Sequence, residues 1–364
     1  MKNLLRESLE SGAFGFSSGL FYPPGVFSDD REILELAKIT AEYGGIYATH
    51  LRSESEHLVD SVAETLTITR ESGVSTEFSH HKASGSKYFG KVDTTLAMIE
   101  KANEEGLQVH CDVYPYITAN TQFASILPPW ALEGGTDQLL KRLESRQLRS
   151  QMIRDLKNEG IEYENLYQLS GWNRIMINEC TVEDFVGKTV EEIAAERNED
   201  PFTTALNIIA ESDNSAMMII ELMSEDDVRK VLESPYSIAC TDGFPSLGKC
   251  HPRYTSSFVR ILEKYVREEK ILSLENAVHK MTGLPAEKLG LSDRGLIKPG
   301  YKADILIMDF EKLHDNADYD HCNALADGIK YVFINGKAAL ADGVRQNVCA
   351  GRVLRKNGGA ERKR

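Results

Sequence analysis

Two histidines and one aspartate stand where side chains could do chemistry. His50 closes the β-prone run GIYATH, His80 closes VSTEFSH, and Asp242 closes YSIACTD. Each follows a mainly apolar stretch, so in a parallel α/β sheet all three reach the carboxyl rim, where such folds carry their function. Two imidazoles and a carboxylate on one rim suit a divalent metal such as zinc, which takes N and O ligands and keeps a position open for water. The metal lowers the pKa of that water, and a nearby carboxylate can act as general base. Spacing alone equally admits polar strand ends bonded to backbone, because each residue comes singly from a different strand.

Further polar groups flank these three. Lys82 lies just past His80, Tyr114 and Tyr116 lie in DVYPY, and Arg253 lies in HPRY. Arginine suits bidentate grip on a carboxylate, with lysine and tyrosine adding single donors. Taken singly, each reads as a surface charge or a packed aromatic. His81 neighbours His80 and should face the opposite side of its strand, in a packing role. His110 reads as a core or hydrogen-bonded histidine, and His57, His279, His314 and His321 as solvent-facing. Cys111 and Cys240 fall in buried-strand contexts, where cysteine behaves as a small hydrophobe.

The elements that must position these residues recur in a βα rhythm. Ser28-Asp29 precede an apolar pattern at Ile33, Leu34, Ala37 and Ala41 that Gly44-Gly45 stop, the signature of a capped amphipathic helix. GIYATH follows, then a helical stretch with Leu58, Val62 and Leu66, the breaker Gly73, and VSTEFSHH. A third helix ends at Gly106 before LQVHCDVYPY. Strand, helix, glycine, strand repeats about every thirty residues, which implies parallel strands joined by crossover helices. From Gly134 to about Asp227 the pattern turns charged and helical, although MMIIELM (Met217–Met223) reads as a buried strand, as does YSIACTDG. Beyond about residue 290, GLIKPGYKADILIMDF and KYVFINGKAAL read as short β-segments.

The 364 residues accommodate one large α/β domain and a smaller one. A net charge of −14 argues against nucleic acid and against anionic membranes. Six cysteines without a CxxC pair are too sparse for a disulfide scaffold, and a reducing, cytoplasmic compartment fits them. The opening MKNLLRESLESGAFG lacks the apolar stretch of a signal peptide, and no apolar run is long enough to span a membrane.

The segments GAFGFSSGLFYPPG, YATHLRSE, SHHKASG, DVYPYITANT, LPPWALEGG, TDG and HPRYTSSF, together with MTGLPAEKLGLSDRGLIKPGYKADILIMD and FINGKAALADG, occur in the order found in one enzyme family. The chain resembles, from about residue 10 to about 355, the N-acyl-D-amino-acid deacylase (D-aminoacylase) branch of the amidohydrolase superfamily. That resemblance implies a TIM-like (β/α)8 barrel with a small β-domain. It implies His50 and His80 as zinc ligands, and Asp242 as ligand and general acid/base. Lys82, Tyr114 and Arg253 would bind the substrate α-carboxylate, with Tyr22 lining the pocket. Asn120 stands where the family often places a serine, a change expected to alter the carboxylate contacts without abolishing them.

The family's HxH pair and its metal-binding cysteine have no counterpart, since no HxH occurs and no cysteine precedes Cys111. The expectation is therefore an α/β chain with a partial barrel over residues 1–289, lacking the first strands and carrying a helical insertion at about 134–227. A small β-domain segment at 290–350 and a flexible tail at 351–364 complete it. The implied reaction is zinc-dependent hydrolysis, with one or two ions, of N-acyl-D-amino acids to a carboxylic acid and a D-amino acid. One alternative is a catalytically silent fragment acting as a scaffold or needing a partner, either a missing N-terminal fragment or a second copy. A related cyclic-amide hydrolase is another, and the carboxylate-binding set speaks against it, because a cyclic amide without a free carboxylate would leave those charges unpaired.

Overall fold

A computed structural model describes residues 1–158, 160, 163–244 and 249–356. After an opening helix, Lys2–Glu10, the chain forms three βα units. Strands β1 (Gly15–Gly19), β2 (Ile46–His50), β3 (Ser75–Phe78) and β4 (Val109–Val113) alternate with helices Asp30–Glu42, Leu58–Ser72 and Lys91–Glu104. Local chemistry sets the boundaries: the Asp29 carboxylate accepts from Glu32 N at the first helix start. Gly73, at φ +71°, ends the second in the left-handed region that glycine tolerates. The strands pair in parallel, each beside its sequence neighbour.

Side chains alternate across this sheet. Ala48, Glu77 and His110 share one row and one face. The other face, with Phe78, Val109 and Cys111, packs on Leu58, Val62, Leu66, Val92 and Ile99 of the covering helices. That burial closes the units into one layer of strands under one layer of helices.

The segment after β4 is more than the helical insertion expected. It contains β5 (Thr118–Gln122), β6 (Ile175–Glu179) and β7 (Met217–Glu221), an antiparallel sheet in the order β5-β7-β6. The strand foreseen at Met217 exists, but it pairs with β5 and β6 instead of joining the parallel sheet. Helices at 136–144, 146–157, 190–197 and 201–211 surround these strands, and Phe123, Ile126, Ile177, Leu206, Met218 and Ile220 give the insertion its own core. The chain then returns as β8 (Ser237–Ala239), parallel to β4. The described parallel sheet runs β1-β2-β3-β4-β8, open, with β1 and β8 as its edges.

The expected C-terminal β-segments are present as β9 (Ile305–Met308), β10 (Ile329–Ile334), β11 (Lys337–Ala341) and β12 (Val344–Arg345), an antiparallel sheet. Asn335 and Gly336, both at positive φ, make the tight turn between β10 and β11. Part of the tail expected to be flexible is held: Lys356 N donates to Gly12 O at 3.0 Å, and Arg355 Nη1 donates to Ser11 O. Residues 357–364 lie outside the described residues. The cysteine reading needs one correction, because Cys250 and Cys322 form a disulfide. Their separation of 72 residues hides such a pairing from any local pattern. Among the described residues, no helix is long and apolar enough to cross a membrane.

The β1–β2 contact depends on the absence of a side chain at Gly15, where a Cβ would sit 1.8 Å from the Ile46 carbonyl oxygen. Gly15→Ala is expected to lower stability by about 3 kcal/mol or more, because backbone must move. Gly73→Ala, whose Cβ meets nothing within 4 Å, should cost only the left-handed strain, about 1–2 kcal/mol. Denaturant unfolding of both variants checks this, and equal losses would contradict it.

Candidate functional site

The carboxyl ends of β2, β3, β4 and β8 bring the singled-out residues to one rim. His50 is the last residue of β2, while His80 and Asp242 follow the ends of β3 and β8. Both of these adopt positive φ, +39° and +45°, which non-glycine residues rarely do. Strain of this kind persists only where the surroundings impose it. At His80 they do: its N–H donates to Asp112 Oδ1 at 2.7 Å, and the next N–H, of His81, donates to the Asp112 carbonyl at 2.8 Å. The His81 side chain turns the other way and bonds Thr95 Oγ1, the packing role its position implied.

His50 Nδ1 and His80 Nε2 lie 3.0 Å apart, and a third residue completes the group. Glu54 Oε1 is 3.1 Å from His80 Nδ1, and its Oε2 is 3.9 Å from His50 Nε2. One donor atom from each of His50, Glu54 and His80 falls within 4.8 Å of the others. Two imidazole nitrogens and a carboxylate oxygen form a donor set that fits a divalent cation such as zinc. Lys82, foreseen as a substrate contact, bonds within this group, with Nζ 2.7 Å from Glu54 Oε1 and 2.8 Å from His80 Nδ1. Asp242 stands outside the group, with Oδ2 2.9 Å from Arg253 Nη1.

Desolvation governs the charges here. Burial drives the His50 pKa down to about 3, against the pull of Glu54, so the ring is neutral and able to ligate. Burial alone would raise Glu54, but the Lys82 ammonium and the two imidazoles hold it well below the usual carboxylate range. The carboxyl of Asp112 is pushed up, chiefly by burial.

A second cluster centres on Arg253, which is only 2% exposed. Its guanidinium carbon lies 4.6 Å from the Tyr114 ring centroid, and Lys82 Nζ lies 5.9 Å from the same centroid. Tyr114 therefore joins the two clusters, and burial raises its phenol well above the ordinary value. Arg253 Nη2 donates to the Asn120 carbonyl at 3.2 Å, Nη1 keeps its ion pair with Asp242, and Nε has no hydrogen-bond partner among the described residues. The Asn120 side chain points elsewhere, to Asn178 Oδ1 and Met218 O, so only its backbone serves the site. Tyr116 packs instead under Arg260 and against His251.

His251 fixes the arginine. Its Nδ1 accepts from Arg253 N at 3.1 Å and its Nε2 donates to Thr118 O at 3.0 Å, anchoring the loop to β5. Burial, helped by the Arg253 charge, lowers the His251 pKa to about 3. Tyr22 bonds Thr121 Oγ1 at 2.9 Å, and burial pushes its phenol up to about 12. The Phe21 and Tyr22 rings lie 5.6 and 5.1 Å from the His50 ring and also line a cleft of about 1410 Å³. That cleft lies between the loops that follow β1 to β3 and the insertion, with Phe21 and Tyr22 in its lining.

Sequence reasoning missed Glu54, Asp112 and His251. Glu54 carries the one available signal, a position four residues after His50 in YATHLRSE. Asp112 acts through a bond to distant His80, and His251 links its near neighbour Arg253 to distant Thr118, a tie that spacing does not encode.

The comparisons with known proteins identify the family. The amidohydrolase family profile matches residues 70–353. The D-aminoacylase of Alcaligenes xylosoxydans xylosoxydans is 33% identical over 355 residues, covering 97% of this chain and 64% of that protein. A crystal structure of D-aminoacylase superposes with a TM-score of 0.79 at 34% identity, covering 98% of this chain and 65% of that one. N-acyl-D-glutamate deacylase from Bordetella bronchiseptica, complexed with zinc and a phosphonate mimic of the tetrahedral intermediate, superposes at 0.78 with 31% identity, covering 97% and 65%. The chain thus spans just under two thirds of the length of these relatives. With fold and sequence both matching, the chain belongs to the amidohydrolase family.

Proposed function

We propose that this chain carries the site of a zinc-dependent hydrolase that cleaves the amide bond of N-acyl-D-amino acids. The observation that carries this reading is the buried Arg253 guanidinium, whose Nη1 is ion-paired with Asp242 and whose Nε has no hydrogen-bond partner among the described residues. A buried arginine with a donor left over suits a carboxylate, the group that a linear N-acyl amino acid retains and a cyclic amide without a free carboxylate lacks. The deacylase relatives, one of them complexed with zinc, support the same substrate class.

In this reading His50, His80 and Glu54 hold the metal, with Asp242 as a further ligand. When bound, a divalent metal supplies Lewis acidity to the amide carbonyl and lowers the pKa of adjacent water. The chain's own residues do the rest. Arg253 and Tyr114 grip the α-carboxylate, and Lys82 sets the charge of Glu54. Asp242, beside that arginine and 40% exposed, takes the proton of the attacking water and delivers it to the leaving amine. Phe21 and Tyr22 guide the acyl group from the cleft.

The direct test is hydrolysis of N-acetyl-D-amino acids by the purified protein with added zinc, compared with Asp242→Ala. Loss of turnover in the variant is expected, and equal activity would remove Asp242 from its role. Arg253→Lys should lower kcat/KM about 10- to 100-fold, mainly through KM, because an ammonium cannot grip bidentately. A carboxamide analogue of the substrate should be insensitive to that change.

The arginine's support has its own pH signature. His251 titrates near 3 when folded and at an ordinary 6.5 when free, so the unfolded chain binds a proton that the folded chain refuses. Its contribution to stability is complete above about pH 6.5 and lost as pH falls toward 3, at about 1.4 kcal/mol per pH unit. Urea unfolding across pH 4–6.5 should show a shallower slope in His251→Gln. An unchanged slope would show that the buried imidazole does not set acid sensitivity.

A further inference from the structure

One acidic side chain of the insertion reaches across to the rim. Glu164 Oε2 accepts from Ser53 Oγ at 2.6 Å, from Glu54 N at 2.7 Å and from Ser55 Oγ at 2.8 Å. Three donors from consecutive residues converge on one oxygen. The turn they form is buried, with Ser53, Glu54 and Ser55 each under a tenth exposed. Its remaining bonds run back to the parallel layer: Ser84 N donates to Glu54 O at 2.7 Å, and Ser53 N donates to Ser61 Oγ at 3.1 Å. On the other side, the neighbouring Asn165 caps helix Leu166–Ser170 and donates through Nδ2 to Leu156 O. Glu164 is thus presented from a fixed point of the insertion.

We infer that Glu164 is a positioning residue for the metal-binding group. It acts through Glu54, by holding the backbone from which that carboxylate reaches His80 and Lys82. Few alternatives fit the geometry, since all three bonds fall on the peptide that carries Glu54 and its two neighbours, and none falls on the reacting groups. The inserted subdomain therefore both walls the cleft and completes the support of the donor cluster. Removing the carboxylate would strand one buried N–H and two hydroxyls, and the turn would shift to find other acceptors.

This inference rests on the metal reading of His50, Glu54 and His80, so two readouts are needed on the full chain. Zinc affinity, measured by competition with a chromophoric chelator, should fall about 10- to 100-fold in Glu164→Ala and stay within about threefold in Glu164→Gln, which keeps an acceptor oxygen. Should Glu164→Ala not fold, Glu164→Asp, one methylene too short to reach the turn, takes its place with the same expected loss. In a Glu54→Gln background the Glu164 change should add nothing. Additive losses, or lower thermal stability with unchanged zinc affinity, would overturn the inference. Hydrogen exchange of the 53–55 amides is the second readout, fast in Glu164→Ala and protected in Glu164→Gln. If the unaltered protein takes up no zinc, the proposed function falls, and exchange alone decides the role of Glu164. Equal protection in all three proteins would then overturn it.

Discussion

The carboxylate of Glu54 is held out of water, and the rim is arranged around keeping it charged. An isolated buried carboxylate is costly and would take up a proton. Glu54 avoids this because the Lys82 ammonium is 2.7 Å away and two imidazoles adjoin it. A buried pair of this sort is balanced only while its geometry holds, since loss of either partner leaves an uncompensated charge. Tight backbone placement at residues 50, 54, 80 and 82 follows as a requirement. The left-handed conformation of His80 and its bond from N–H to Asp112 are local expressions of that requirement.

The arginine side of the site obeys a complementary rule. Arg253 is buried beside Asp242 and over the Tyr114 ring, so its charge is countered on one side and faces polarizable carbon on the other. Tyr114 lies within reach of both cations. One aromatic therefore spaces the region that would hold a metal from the region that would hold a carboxylate. That spacing is what a small substrate with a fixed distance between its amide and its carboxylate demands.

Much of this was visible in the chain's letters, and the rest was invisible for physical reasons. Strands β2 to β4 and their helices declared themselves because both layers bury apolar faces and the caps are local. Strand β1, GFSSG, carries no such pattern; it is a strand because small residues let it lie against β2. Strand β5, TANTQ, is half-buried from Thr118 to Thr121, exposed at Gln122, and pairs with β7. At the site, His50, His80 and Asp242 were legible as strand ends. The engagement of Lys82 by Glu54, the turning away of the Asn120 side chain and the disulfide between Cys250 and Cys322 all depend on contacts between distant segments. A loop carboxylate such as Glu54 looks like any surface acid until its neighbours are known.

The placement of the insertion between two adjacent parallel strands has a consequence for how the protein is made. Cys111 of β4 pairs with Ser237 of β8, so the two strands meet only after the whole insertion has been synthesised. Closing so long a loop from a disordered chain carries a large entropic penalty and slows folding. The insertion relieves that penalty, because its own sheet sets Thr118 directly beside Glu221, just after β4 and shortly before the return to β8. Once its separate core has collapsed, a long closure becomes a short one. Collapse of the insertion would therefore shorten the closure that brings the last parallel strand to β4.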